Sequence, residues 1–383
     1  MISGSTFLVT GATGFLGGFI TAELLRRQAG VIAAARPGRS AGPEERVRRL
    51  MHYFRLEPGR RLRTVEADLE LPGMGLSSGD ANILKSHVDH VVHCAGDTSF
   101  SSRHSKRLLK VNVQGLENVF RTLEGCRSFH YLSTAYSCGK KEGLCREEME
   151  QNSRFHNEYE RSKYLAERKL KELCEASGTE LTIYRPSIVY GDSETGRSLG
   201  FTGLYNPVRV LVFIRNTCLR DIQENGGRRS AELGVTMDGD GNLAFPLEIP
   251  DEGGGMNLIP VDYLVKTVFA IMESGGKGVY HIVNRRNDQL EKVVRLIEDM
   301  FGIRGIRTVP EGEMAGGSPL QNLVNRYMKP YYPYMSDGRV FDDSRAAPVL
   351  EKAGITCPDL TEDSFRRCMA YAVEKEWGSS LEI

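Results

Sequence analysis

The segment Thr10-Gly11-Ala12-Thr13-Gly14-Phe15-Leu16-Gly17 constrains this chain more than any other. It follows a short apolar run, Phe7–Thr10, and opens a helical pattern over Phe15–Gln28 that ends at Gly30. In a strand–turn–helix of this kind each glycine has its own task. The first permits the tight turn, the second lets a pyrophosphate approach the backbone, and the third lets helix pack on strand. The helix N-terminus then offers unpaired N–H groups and a partial positive charge to phosphate. The spacing is G-x-x-G-x-x-G. It predicts a dinucleotide site in which Thr10, Gly11, Thr13, Gly14, Phe15, Leu16 and Gly17 meet the cofactor.

Short apolar runs recur downstream. Val31–Ala35, Arg63–Ala67, Val88–Cys94, His130–Ser133 and Leu181–Tyr184 read as strands, with helical patterns at Leu108–Leu123 and Tyr159–Ser177 among them. Strands buried on both faces read as such continuous runs. Their alternation with helices predicts an α/β fold, a doubly wound parallel sheet with helices on both faces. After Gly191 the chain turns glycine-rich, at Asp238–Gly241 and Gly253–Gly255. Asn257–Val261, a helix at Asp262–Met272 and a strand at Val279–Val283 read as a return to the sheet. A helix at Glu291–Met300, a flexible loop over 311–319, and helices at Ser344–Ala353 and Glu362–Lys375 complete the pattern. The expected organisation is a nucleotide-binding domain from residues 1–191 and 256–284. A smaller substrate-binding domain is expected from 192–255 and 285–383.

The ribose end of a dinucleotide should meet the end of the second strand, about 20 residues past the glycine loop. That position holds Arg36. An acid there bonds the 2′-hydroxyl of NAD, whereas an arginine accommodates the 2′-phosphate of NADP. A planar guanidinium pairs with phosphate oxygens through two parallel bonds. NADP(H) is therefore the expected cofactor, with Arg39 and Arg46 as weaker phosphate contacts. Residues 26–63 carry eleven arginines and three glutamates, most of them readable as a solvated helix surface. Past the third strand, Asp68-Leu69 is placed to contact adenine, although a simple turn reads almost as well.

Tyr159 and Lys163 stand four apart at the start of the amphipathic helix and so share one face. An ammonium near a phenol stabilises the phenolate and lowers its pKa. Moving a tyrosine from about 10 toward 7 takes roughly 4 kcal/mol of differential stabilisation. Such a phenol exchanges a proton with a substrate oxygen near neutral pH. The strand ending in Ser133-Thr134-Ala135 aims a hydroxyl where a substrate carbonyl would lie, and Asn112 on an intervening helix offers a polar relay.

The loop TGATGFLG, Asp68-Leu69, the strand end His93-Cys94-Ala95-Gly96, Asn112, Ser133-Thr134 and Tyr159/Lys163 resemble, in this order, the extended short-chain dehydrogenases/reductases. Tyr184–Gly196 (YRPSIVYGDSETG) and Asn257–Asp262 (NLIPVD) look like their thioester-reductase and fatty-acyl-reductase branch, the male-sterility-type NAD-binding group. The resemblance covers roughly residues 5–290 and weakens over the last ninety. It implies a Rossmann-type fold, the glycine loop on pyrophosphate, and Arg36 at the NADP-selecting position. It implies Tyr159 as the acid, Lys163 as the residue that bonds ribose and tunes it, and Thr134 rather than Ser133 as the catalytic hydroxyl. Cys94, Ala95, Gly96, Ser133 and the run Pro186, Ser187, Ile188, Val189 are implied to border the cofactor. Cys94 departs from a position where members vary. The 383 residues hold no adenylation or carrier domain, so a thioester is expected to arrive on coenzyme A or a separate carrier protein.

Composition narrows the rest. Fifty basic and fifty acidic residues give no net charge, which argues against a dedicated nucleic-acid or anionic-membrane binder. Any docking of an acidic carrier would fall to a local excess such as residues 26–63. Eight cysteines without a C-x-x-C pair predict neither a metal site nor a disulfide scaffold. The N-terminus lacks a secretory pattern, and the longest apolar run, Val208–Ile214, falls far short of the ~20 residues that span a bilayer. A cytoplasmic protein without an integral membrane segment is expected. The leading functional reading is an NADPH-dependent reductase taking an acyl thioester to aldehyde or alcohol, with Gly200–Ile214 lining an acyl pocket or forming a buried helix. A ketone or aldehyde reductase (or alcohol dehydrogenase) on the same scaffold is the second reading, and a non-catalytic NADP sensor the third.

Overall fold

The computed structural model describes residues 2–38, 41–100 and 105–381. Seven strands form one parallel sheet: β1 (Thr6–Thr10), β2 (Gly30–Ala35), β3 (Leu62–Glu66), β4 (His90–His93), β5 (Ser128–Leu132), β6 (Glu180–Pro186) and β7 (Gly278–Ile282). Their spatial order is β7-β6-β5-β4-β1-β2-β3, so the chain winds outward from β1 in both directions. Ligands in such sheets bind at the carboxyl ends of the strands where the winding reverses. Here that point lies between β1 and β4, paired in register with Thr10 opposite His93. The central strands are apolar on both faces: Leu8, Val9, Val91 and Val92 are wholly buried. That is the reason they read as continuous runs rather than alternating ones.

Helices cover both faces. α1 (Phe15–Arg26) follows β1, and α2 (Glu158–Ser177) runs from an Asn157 cap to a left-handed Gly178. The helix expected over Leu108–Leu123 forms as two α-helical stretches joined by one π-helical turn, Lys110–Gln114, which holds Asn112. Such single π turns often mark functional positions because they redirect a side chain.

A second apolar cluster lies beside the sheet. It is built around α3 (Tyr205–Asn225), α4 (Pro319–Met328) and a small sheet in which Leu243–Pro250 pairs parallel with Ile303–Val309. Neither of these two strands was legible in the sequence, because Leu243–Pro250 carries two prolines and Ile303–Val309 (IRGIRTV) repeats Ile-Arg at a spacing of three rather than two around a glycine. That small sheet joins the two segments expected to form the substrate-binding unit. Within the second segment, however, Val340–Phe341 pairs with Leu144–Cys145, and Ala346, Val349 and Leu350 pack in the core of the large sheet. Residues 340–357 therefore lie against the nucleotide-binding side. Among the described residues no helix is long and apolar enough to cross a membrane.

Candidate active site

The glycine loop is built as its spacing requires. Gly11 has a φ of +67°, and a Cβ there would stand 2.7 Å from the Ala95 nitrogen. A Cβ on Gly17 would stand 2.1 Å from the Gly11 carbonyl oxygen. The loop after β1 thus touches the loop after β4, and only glycine permits the approach. Helix α1 begins at Gly14 with no capping side chain and no acid in its first turn. Its first N–H groups are left for an incoming acceptor. Thr13, Phe15 and Leu16 stay partly exposed around this turn. Thr10 is turned inward instead, its hydroxyl 2.8 Å from His93 Nδ1, and so ties β1 to β4.

At the far end of the sheet Arg36, Arg46 and Asp68 line a pocket of about 1040 Å³, closed on one side by Ser379 and Leu381 of the C-terminal tail. Arg46 donates a 2.9 Å bond to the Arg36 carbonyl, and burial, with the Arg36 charge adding to it, lowers the Arg46 pKa. The nearest carboxylate to Arg36, on Glu70, is 3.9 Å away and lies 3.1 Å from Lys110. Leu69 faces the core, and its carbonyl accepts from Asn118. Arg39 lies outside the described residues.

The strand ends and α2 enclose a cavity of about 370 Å³ that starts at Gly11, Gly14 and Gly17 and runs past Cys94, Gly96, Thr134, Tyr159 and Lys163. Pro186, Ser187, Ile188 and Val189 form one wall, and Gly200, Gly203, Asn206 and Pro207 another. Only the first turn of α3 therefore lines the cavity. Val208, Leu211, Val212 and Ile214 point into the second core. Lys163, one helical turn beyond Tyr159, donates to the Leu132 carbonyl at 2.8 Å. A Cβ on Gly96 would stand 3.5 Å from its ammonium and 3.2 Å from Asn112 Oδ1.

Electrostatics depart from the expectation for Tyr159. The phenol is pushed up to about 12, because burial outweighs the Thr134 hydroxyl bonded to it. Lys163 is pulled down to about 8 by burial and acts on Leu132 rather than on the phenol. Tyr159 thus keeps its proton at neutral pH. Burial also raises the Cys94 thiol to about 12, so it is an inert wall and not a nucleophile.

Asn112 is not a relay open to a ligand. Its Oδ1 accepts from the Asp97 N–H at 2.7 Å, and its Nδ2 donates to the Asp97 carbonyl and to Ser162 Oγ. It clamps the loop after β4 onto α2. The Ser133 hydroxyl is likewise engaged beneath the cavity by Glu167, which also holds Arg185 in a buried pair. The Thr134 hydroxyl makes a weak 3.4 Å contact to the Pro186 carbonyl, accepts from the Tyr136 N–H at 3.3 Å and meets the Tyr159 phenol at the cavity.

Several lining residues had no signal in the sequence. Phe100 stacks against Tyr159, Tyr331 and Tyr334 at ring separations of 5.7, 5.4 and 5.3 Å. Tyr331, Tyr334 and Met335 come from the far end of the chain. The hydroxyls of Ser187 and Tyr136 are buried at the cavity without a partner among the described residues, as groups awaiting a ligand would be. No cluster of metal-ligating side chains occurs among the described residues.

Residues 9–268 match the model of an NAD-binding family described as male sterility protein. The chain belongs to the male sterility protein family. Its similarity to curated proteins follows that family. One of the proteins that make up the linear gramicidin synthase of Brevibacillus parabrevis is 26% identical over 400 residues, covering 95% of this chain and 7% of that protein. Aldehyde reductase lnaA of Aspergillus flavus is 27% identical, covering 96% of this chain and 36% of that one. Probable fatty acyl-CoA reductase 5 of Arabidopsis thaliana is 26% identical, covering 72% and 66%. This chain therefore spans only a fraction of the first two. Among solved structures, the terminal R domain from the myxalamid PKS-NRPS biosynthetic pathway matches with a TM-score of 0.73 at 22% identity, covering 99% of this chain and 93% of that one. That match is one of fold, and it agrees with the Rossmann-type sheet described above.

Proposed function

We propose that this male sterility family member is an NADPH-dependent reductase of acyl thioesters carried on coenzyme A or a separate carrier protein. One observation supports this above the others: the Thr134 and Tyr159 hydroxyls converge in a mainly apolar cavity that begins at the phosphate-ready glycine loop. The residues fit the cofactor. Gly11, Gly14 and Gly17 would cradle the pyrophosphate, and Arg36 with Arg46 would hold the 2′-phosphate beside Asp68. Lys163 would bond a ribose hydroxyl, and Pro186–Val189 would flank the nicotinamide. NADPH, when bound, supplies the hydride.

The protein's own part is positional and electrostatic. Thr134 and Tyr159 donate hydrogen bonds to the thioester carbonyl oxygen and stabilise the charge that develops on it, typically the largest catalytic contribution. Burial keeps the phenol protonated, so the proton is present where that oxygen needs it. When the carbon–sulfur bond breaks, the sulfur leaves as a thiol and the carbonyl re-forms as an aldehyde. A second cycle, with the proton again from Tyr159, yields the alcohol. Asn112 serves as a positioning residue that holds the Gly96–Asp97 loop.

The test supplies octanoyl-CoA and simple ketones, and follows NADPH oxidation together with free thiol. One oxidised cofactor per thiol is expected where reduction stops at the aldehyde, and two per thiol where it runs on to the alcohol. Tyr159→Phe should slow turnover by roughly 10²–10⁴ while cofactor binding persists. Turnover of ketones without any thiol release, or an undiminished Tyr159→Phe, would sink the reading.

A further inference from the structure

Two segments that reach the cavity share a charge pattern. Between Gly200 and Arg220 the chain holds Arg209, Arg215 and Arg220 and no acid; between Met314 and Met335 it holds Arg326 and Lys329 and no acid. These segments form α4 and all but the last turn of α3, where Asp221 is bonded to Ser230 and Glu224 is exposed; the two helices pack together in the second core. Arg209, Arg220, Arg326 and Lys329 are exposed, and none has a carboxylate partner among the described residues. Of the arginines of residues 26–63, Arg27, Arg48, Arg49 and Arg63 pair with acids and Arg36 and Arg46 face the nucleotide pocket, while Arg55, Arg60 and Arg61, exposed and without an acid partner among the described residues, do not line the cavity. The same α3 and α4 faces present two aromatic rings to solvent. Phe213 is 71% exposed, the most of any large apolar side chain described, and Tyr327 is 53% exposed.

This face adjoins the cavity. Asn206 and Pro207 on the first turn of α3, and Tyr331 just past α4, line it. Asn206 donates to the Tyr331 hydroxyl at 2.9 Å and joins the two helices at the rim. The Arg209 guanidinium acts on that same phenol. Phe213 lies seven residues beyond Asn206, about 10 Å along the helix axis. That span is short against an extended phosphopantetheine arm.

We infer that the basic face of α3 and α4 docks an acidic carrier protein, which passes its pantetheine-bound acyl group into the cavity beside Tyr331. The inference rests on the thioester reading above. An apolar ring amid unpaired cations suits a partner with a negative rim around a small apolar spot, and complementary charge steers and orients such encounters. A second copy presenting the same face across a two-fold axis would meet like charge, so self-association does not fit.

The experiment compares three octanoyl thioesters: on an acidic acyl carrier protein, on coenzyme A, and on uncharged pantetheine. Two variants are used, Phe213→Ala and the double change Arg220→Glu with Arg326→Glu, each checked for an unchanged melting temperature. Wild type should favour the carrier-bound substrate, and that preference should shrink as salt rises. The charge-reversed variant should lose roughly tenfold or more in kcat/KM on the carrier substrate alone. Phe213→Ala should weaken the same substrate, and pantetheine turnover should stay level in both. Undiminished carrier turnover in the variants, or an equal loss on coenzyme A, overturns the docking face and leaves the reductase reading intact. Failure of wild type on all three thioesters instead removes the reading beneath it.

Discussion

Gly17 has no room for a side chain. Its Cβ would stand 2.1 Å from the Gly11 carbonyl oxygen, so Gly17→Ala must open the turn that the phosphate site is made from. The expected outcome is a folded protein whose NADPH affinity, by titration calorimetry, drops at least roughly tenfold, the worth of about 1.4 kcal/mol. Equal affinity in the variant would place the cofactor elsewhere. On the proposed NADPH reading, Arg36 would select the cofactor. Removing its guanidinium in Arg36→Ser should cost about 1.5–3 kcal/mol of a charge-assisted bond to the 2′-phosphate. Its KM for NADPH should rise while that for NADH stays level, and a parallel rise for both would reject the 2′-phosphate assignment. The positions of both residues, one in a tight turn and one just past a strand end, were legible in the sequence because those demands are local. The charge state of Tyr159 was not. Its spacing to Lys163 predicts a lowered pKa, but enclosure of the phenol raises it, and the ammonium, bonded to the Leu132 carbonyl, does not offset that.

At the scale of elements, the join of β5, β6 and α2 bears on the site from below. Glu167 holds both Arg185 and the Ser133 hydroxyl, and all three side chains are buried. Arg185 reaches on to the Arg146 and Glu148 carbonyls, which ties the 145–150 loop to the strand. Removing one member of such a pair strands the other charge, a cost of about 3–5 kcal/mol. Glu167→Gln should therefore unfold at markedly lower urea concentration, and pairing it with Arg185→Met should restore part of the loss. If the double change is no better than the single one, the pair is not the reason for the destabilisation. Nothing in the spacing of residues 133, 167 and 185 announces this triad, since the register of β5 against β6 and the rotation of α2 bring them together. The π turn at Asn112 is similar: the helix was legible, but not the extra backbone residue that aims Asn112 at Asp97 and Ser162.

For the whole molecule, burial of imidazole sets the response to acid. His93, His130 and His281 are all held down near a pKa of about 3 by desolvation. Their ordinary value is 6.5, so the unfolded chain binds protons that the folded one refuses. Their contribution to stability is complete above pH 6.5 and is lost as pH falls toward 3, at about 1.4 kcal/mol per pH unit for each ring. Glu147 works in the opposite sense. Burial raises it to about 7, so its contribution is complete below 4.5 and lost as pH rises through 7. Three imidazoles outweigh one carboxyl, and below pH 4.5 nothing from Glu147 offsets them. Calorimetric melting temperatures should therefore fall from pH 6.5 to pH 4, more steeply at the acid end. A flat profile there would show that these rings are not kept neutral by the fold.

What the sequence determined by itself is whatever a short segment must do to satisfy its own backbone. The glycine turn, the apolar strands buried on both faces, the Tyr159/Lys163 spacing and the Arg36 strand end are of this kind, and from them follow the sheet and the nucleotide-binding side. The tertiary structure decided what depends on packing between distant segments. It turned Ser133 away and left Thr134 at the cavity, and it used Asn112 as a clamp. It brought Tyr331 and Tyr334 across to Phe100, and it laid residues 340–357 back on the large sheet. Desolvation and side-chain direction are properties of the surroundings, and the surroundings of those residues are assembled from parts of the chain that no local pattern connects.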